Sequence, residues 1–182
     1  MANCFGVSAV QCTAGLLMVT YSDSGDCKIA LSDSVFYEFN STIEVATDTN
    51  TPLPGTWSII YGDLSQCGLN LQGNIFKNIT GTNLNINVTI QAAWWPVTPM
   101  GTLGSTRSIF CVRNGSLTDV PLASVTGAND TSTVQNVTNS IRLANGGSFQ
   151  PYVYQNSGAN AYIGDASQLA KTTIFIERVN ET

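Results

Sequence analysis

Residues 84–95 read Leu84-Asn-Ile-Asn-Val-Thr-Ile-Gln-Ala-Ala-Trp-Trp95. Every second position from Leu84 to Ala92 is apolar, and Asn85, Asn87, Thr89 and Gln91 alternate with them. A period of two is that of a strand with one face in a core and the other wet or at an interface. Ile174 and Ile176 repeat the pattern, with Thr173, Phe175 and Glu177 on the opposite face. Further runs rich in Val, Ile, Thr and aromatics predict strands at 16–21, 34–39, 43–47, 56–61, 74–79, 106–113, 137–143, 149–155 and 172–179.

Turn residues separate these runs. Asn114-Gly115 follows Arg113, Asn145-Gly-Gly147 divides two strands, and Asn156-Ser-Gly158 ends another. Residues 117–133 read as a surface loop around a short strand, and Thr49 to Gly55, with Pro52 and Pro54, as a linker. Short antiparallel strands at this spacing imply a β-sandwich or barrel. A sandwich hides only one face of each sheet. Aromatics on the opposite faces, Phe110 and Phe175, therefore call for a partner, and a symmetric homo-oligomer is the usual one.

Composition narrows the function. The 182 residues carry 7 basic and 12 acidic side chains, a net charge of −5, and only 10% of residues are charged, against roughly 25% in an average soluble domain. Histidine is absent, so no Ser-His-Asp or Cys-His nucleophile and no His-ligated metal can be built. The acidic balance argues against nucleic acid as a partner. The carboxylates form no recognisable glycosidase pair, no phosphate-binding loop is present, and no enzyme or cofactor is expected. Asp23, Asp26 and Asp33 surround Gly25, but without a bidentate Glu in place they read as a turn rather than a calcium loop. No apolar run approaches the roughly 18 residues of a membrane span. The run Ala14–Val19 has no preceding Lys or Arg, so the expectation is a removed leader or another route to the outside.

Five Cys, with no CxxC pair, leave an odd thiol unless chains are joined. Cys4, Cys12 and Cys27 are candidates for a disulfide that staples the first segment; reduced, buried thiols are the alternative. Seven N-glycosylation sequons occur, at Asn40, Asn78, Asn87, Asn114, Asn129, Asn136 and Asn180. With 17 Asn in a Ser- and Thr-rich chain, chance alone gives roughly four.

Four pieces of the chain, in order, resemble a C1q/TNF-like domain. They are Gly73-Asn-Ile-Phe76 with the alternating strand ending in Trp94-Trp95; Gly104-Ser-Thr-Arg107 followed by Asn114-Gly115; Ile141-Arg-Leu143-Ala-Asn-Gly146; and Tyr152-Val-Tyr-Gln-Asn-Ser-Gly158. Gly147 stands where the family has Asp, and Ile174-Phe-Ile176 replaces its closing pattern. The resemblance implies an all-β, antiparallel jelly-roll β-sandwich over residues 40–182, assembled as a homotrimer. Residues 1–39 would be a Cys-bearing arm for assembly. The family is one of ligands, adhesins and particle-surface proteins.

The function implied is that of a viral structural protein of the virion surface, a capsid, spike or fibre-head component. Its partners would be its own copies, other virion proteins and a host-surface glycan or receptor, and its location the virion surface or the extracellular space. A secreted C1q/TNF-like ligand or lectin-like module is the alternative. A small-molecule barrel, from the avidin-like Gly55-Thr-Trp57, is a third reading. Interface or receptor contacts are expected from Trp94, Trp95, Arg107, Arg113, Tyr152 and Tyr154. One Trp of the adjacent pair belongs in the core and the other at a surface or interface. Arg107 and Arg113 share a strand face and serve either a receptor or an ion pair with Asp63, Asp119 or Glu177.

Overall fold

In the computed structural model the described residues are 7–13, 16–21, 33–39, 41–53, 57–96, 106–117, 122–126, 133–164 and 171–179. They form strands and turns, as the alternation predicts, with no helix among them. The chain divides into two compact units, residues 1–32 and residues 33–182. The first contains an antiparallel hairpin of β1 (Val7–Thr13) and β2 (Leu16–Tyr21), in which Val10 pairs with Val19 and Cys12 with Leu17.

The second unit is a two-sheet sandwich. One sheet holds β3 (Ser34–Phe39), β4 (Ile43–Val45), β6 (Trp57–Gly62), β9 (Leu84–Pro96), β12 (Thr133–Leu143), β14 (Ala161–Ile163) and β15 (Thr173–Arg178). The long strand β9 is its spine. It pairs with β12 along one edge and with β15 and then β14 along the other; β15 continues to β3 and β6, and β14 to β4. The other sheet holds β5 (Thr51–Pro52), β7 (Leu69–Gln72), β8 (Ile75–Asn78), β10 (Thr106–Arg113), β11 (Leu122–Thr126) and β13 (Ser148–Gln155). Its order is β11-β10-β13-β8-β7, with β5 also on β13.

The core forms where the apolar faces meet. Ile86, Val88 and Ile90 of β9 and Ile174 and Ile176 of β15 lie opposite Ile109, Phe149, Val153 and Phe76 of the second sheet, all essentially inaccessible. Phe76 joins the layers: its ring stacks on Phe149 at 4.9 Å in its own sheet and meets Tyr37 of the other sheet edge-on at 6.0 Å.

The sandwich starts earlier than the resemblance does. Ser34–Phe39, placed in the arm by the sequence reading, is a central strand held between β15 and β6, with Val35, Tyr37 and Phe39 buried. The C-terminal strand β15 needs hydrogen-bonding partners on both sides, and β3 supplies the second. The expected linker is also part of the fold. Thr51 and Pro52 pair with Val153 and Tyr152, and Leu53 is buried with its N–H donating to the Pro151 carbonyl at 2.9 Å. Pro52 is accommodated because it sits in a two-residue strand at a sheet margin.

Two local devices fix the chain path. Gly62 has φ +85°, and a Cβ there would lie 2.1 Å from the Ser34 carbonyl oxygen, so only glycine lets β6 close on β3. Asn78 is 1% exposed and fully used. Its amide donates to the Thr82 and Ala144 carbonyls at 2.7 and 2.8 Å, and its oxygen accepts from the Thr80 N–H and hydroxyl at 2.9 and 2.8 Å. This one side chain ties the β8–β9 turn to the β12–β13 turn, which explains its sequence position independently of glycosylation.

Two predictions follow from these buried groups. Asn78→Ala leaves several buried partners unsatisfied and is expected to cost about 1–3 kcal/mol in denaturant unfolding. The exposed sequon residue Asn136, changed to Ala, should stay within about 0.5 kcal/mol of wild type. Burial pushes the Cys67 and Cys111 thiols up to about 12. Both should therefore resist iodoacetamide at pH 8 in the folded chain and become modified only in denaturant, as read by peptide mass spectrometry.

Candidate interaction surface

The alternation that sends Ile174, Ile176, Val35 and Tyr37 inward sends Phe175 and Phe36 outward. Register then lines up one residue from each of five strands: Tyr61, Phe36, Phe175, Thr89 and Thr138, on β6, β3, β15, β9 and β12. The row is aromatic at one end and hydroxylated at the other. Phe36 and Tyr61 stack at 5.5 Å with their planes 9° apart, and Tyr61 lies 6.5 Å from Phe175. The Thr89 and Thr138 hydroxyls are 2.9 Å apart. All three aromatics are half-buried.

The neighbouring rows are polar. Ser34, Glu177, Asn87 and Ser140 form one, with the Ser140 hydroxyl donating to the Asn87 side-chain Oδ1 at 2.7 Å. Glu38, Thr173, Gln91 and Asn136 form another. There Lys171 pairs with Glu38, and Gln91 donates to the Lys171 carbonyl at 2.8 Å. A shallow cleft of about 460 Å³ lies at the far end of the face, between Asn85, Asn87, Ser140, Arg142 and Val179. Burial first, and then the charge of Glu177, raises the Tyr61 phenol above its ordinary value, so it is neutral at physiological pH.

Both margins of this sheet are open among the described residues. The eleven-residue β12 pairs only with β9 and carries a single charge, Arg142. β6 pairs only with β3 and exposes Ile59 and Ile60 by 55% and 42%. Edge strands are ordinarily blunted with charges, proline or a cover.

The residues singled out from sequence fall into two groups. Trp94 and Arg107 are 0% and 1% exposed, and the guanidinium lies 5.6 Å from the indole centre. The Trp94 indole N–H donates to the Gln135 side-chain Oε1 at 3.2 Å, and the Gln135 Nε2 donates to the Arg107 backbone carbonyl at 3.3 Å. This knot joins β9, β10 and β12 inside the chain, so neither residue offers a surface to a receptor in this structure. Desolvation lowers the Arg107 pKa below its ordinary value.

Tyr152 and Tyr154 are half-buried on the outward side of the other sheet. Tyr152 stacks on Phe110 at 5.7 Å, and the Tyr154 hydroxyl donates to Asp48 at 3.0 Å. Phe110, expected to need an external partner, is already buried within the chain. Arg113 ends β10 half-buried. Trp95 pairs through its backbone with Tyr162, and its side chain lies outside the described residues.

Among the sequons, Asn78 is enclosed, Asn87 is half-buried and bonded to Ser140, and Asn114 and Asn136 are exposed. Asn40, Asn129 and Asn180 lie outside the described residues, as do Cys4, Cys27 and the side chain of Cys12. No cluster of three or more His, Cys, Asp or Glu able to hold a metal ion occurs among the described residues. Phe36 and Tyr61 were not singled out from sequence. The signal was present in the alternation around Phe36, but only the pairing of β3 with β6 brings Tyr61 beside it.

No family model matches the sequence, and no curated protein matches it. Solved structures do share its fold. They include the TNF protein Eiger from S. frugiperda, with 11% identity, 83% of this chain and 94% of that one covered, and a TM-score of 0.51. The vertex protein P5 of PRD1 gives 12% identity, 82% and 98% coverage, and a TM-score of 0.53. Murine APRIL gives 15%, 79% and 97%, and 0.51.

Phe175→Ser tests the outward row. Loss of the aromatic contacts should cost the single chain only about 1 kcal/mol. Any association through this face should weaken at least roughly tenfold, read as a change in concentration-dependent sedimentation.

Proposed function

We propose that this chain, a C1q/TNF-like jelly roll, is a self-assembling structural protein of a virion surface. The observation that carries the reading is the outward face of the seven-stranded sheet. It presents a half-buried aromatic row on β6, β3 and β15, and beyond β9 the long edge strand β12, whose one strand partner among the described residues is β9. A row of this kind is stable when a second copy covers it, and a ring of three copies, each laying its β12 margin on the next copy's face, closes without leaving the row open. The charge-poor composition fits surfaces made for packing, and the fold shared with the PRD1 vertex protein P5 supports the particle-surface setting.

In this reading the first 32 residues, with their β1–β2 hairpin, are the segment that docks onto another virion protein. An isolated two-stranded hairpin is marginal in water and gains stability by packing on a neighbour. Host contact, through a glycan or receptor, falls to the opposite sheet, where Tyr152 and Tyr154 are accessible.

The secreted-ligand reading is favoured by the Eiger and APRIL likenesses. Asn78, enclosed in the folded chain, is not a glycan site in either reading, whereas Asn114 and Asn136 are exposed.

Light scattering on the full chain is expected to give three times 19.3 kDa. Deletion of residues 1–32 should leave a folded trimer that is lost from purified particles. A monomeric full chain would overturn the assembly reading. Unchanged incorporation of the truncated chain would overturn the docking role.

A further inference from the structure

On the outward face of the seven-stranded sheet Glu38 is matched with Lys171 and Glu44 on β4 is hydrogen-bonded by Asn160 and Tyr162, which leaves Glu177 on β15 and Arg142 on β12. Arg142 is exposed, and its outward neighbours Ser140, Asn85 and Asn87 are all uncharged. Glu177 is half-buried beside the aromatic trio. Register sets Arg142 opposite Asn85 and Glu177 opposite Asn87, so the two charges are two strands and two residues apart. At sheet spacings that is roughly 12 Å between their backbones, and among the described residues the two side chains form no ion pair with each other. The face is thus self-complementary: a cation at its open margin, and an anion at its centre.

We propose that Arg142 of one copy inserts onto the Tyr61–Phe36–Phe175 cluster of the next and pairs there with Glu177. The proposal rests on the self-assembly reading and adds the contact that sets its register. Stacked aromatic rings with a carboxylate at their border are a good receptor for guanidinium, which takes a cation–π contact on its face and hydrogen bonds at its edge. Made in one direction only, an edge-to-centre contact is heterologous and builds a ring when its rotation closes, which is the arrangement of the three-copy assembly.

The test is a charge swap in the full chain, read by sedimentation equilibrium. Arg142→Glu and Glu177→Arg should each weaken self-association by at least roughly tenfold, and the double variant carrying both should recover most of it. Arg142→Gln and Glu177→Gln, milder and isosteric for the Glu, should weaken it in the same direction while circular dichroism stays unchanged. If the wild type assembles and the single variants assemble equally well, the ion pair is wrong and the assembly reading stands. The same holds if the double variant is as weak as the singles. If the wild type is monomeric at every concentration, both fall together. Recovery of the Arg142→Glu chain by unmodified protein of another kind, and not by the Glu177→Arg chain, would place the cation on a foreign partner and overturn the proposal.

Discussion

Period-two alternation commits β3, β9, β12 and β15 of the seven-stranded sheet to one buried set of side chains and one outward set, and β6 lays Tyr61 against the outward set. In β3, β6 and β15 the outward set includes Phe36, Tyr61 and Phe175. The core cannot take these rings without expelling Val35, Tyr37, Ile174 and Ile176, since a one-residue slip moves every side chain of a strand to the other face. The rest of the structure follows from this constraint. The interior is filled from the two inner faces, and a second apolar surface is left on the outside of one sheet. The fold therefore carries its own reason to associate.

The polar groups serve the same arrangement. Asn78 closes the two turns at one end of the sandwich, and Trp94, Arg107 and Gln135 tie three strands together inside it. All four are enclosed, Asn78, Trp94 and Gln135 with their polar atoms directed at named partners and Arg107 with its guanidinium against the Trp94 ring, so these residues build the scaffold instead of meeting a ligand. The middle of the outward face, by contrast, is laced with Thr–Thr and Ser–Asn hydrogen bonds between uncharged side chains. A face of this kind is inexpensive to dehydrate compared with one covered in Lys and Glu.

Much of the fold was legible in the sequence because alternation is a local property. The runs around Leu84–Ala92 and Thr173–Glu177 announced both their secondary structure and which side would be buried. What escaped was non-local. Ser34–Phe39 read as a strand but was assigned to the arm, because nothing within it tells that β15, 140 residues on, needs a neighbour. Thr51-Pro52 read as a linker because proline masks a two-residue pairing. Trp94 and Arg107 looked like contact residues because large aromatics and arginines are common at interfaces; only the approach of the two sheets shows that they meet each other. The outward aromatic row was half visible: Phe175 stood out by alternation, while its partners depended on strand order.

Amide hydrogen exchange on the full chain, followed as a function of protein concentration, tests the central claim most directly. If the outward face of the seven-stranded sheet is the subunit interface, raising the concentration should slow exchange along the free margin of β12 and in β6 around Tyr61. The rates in β7 and β8, on the opposite sheet, should not change. Concentration-independent exchange in β12 and β6, or protection that grows on the opposite sheet instead, would contradict the account.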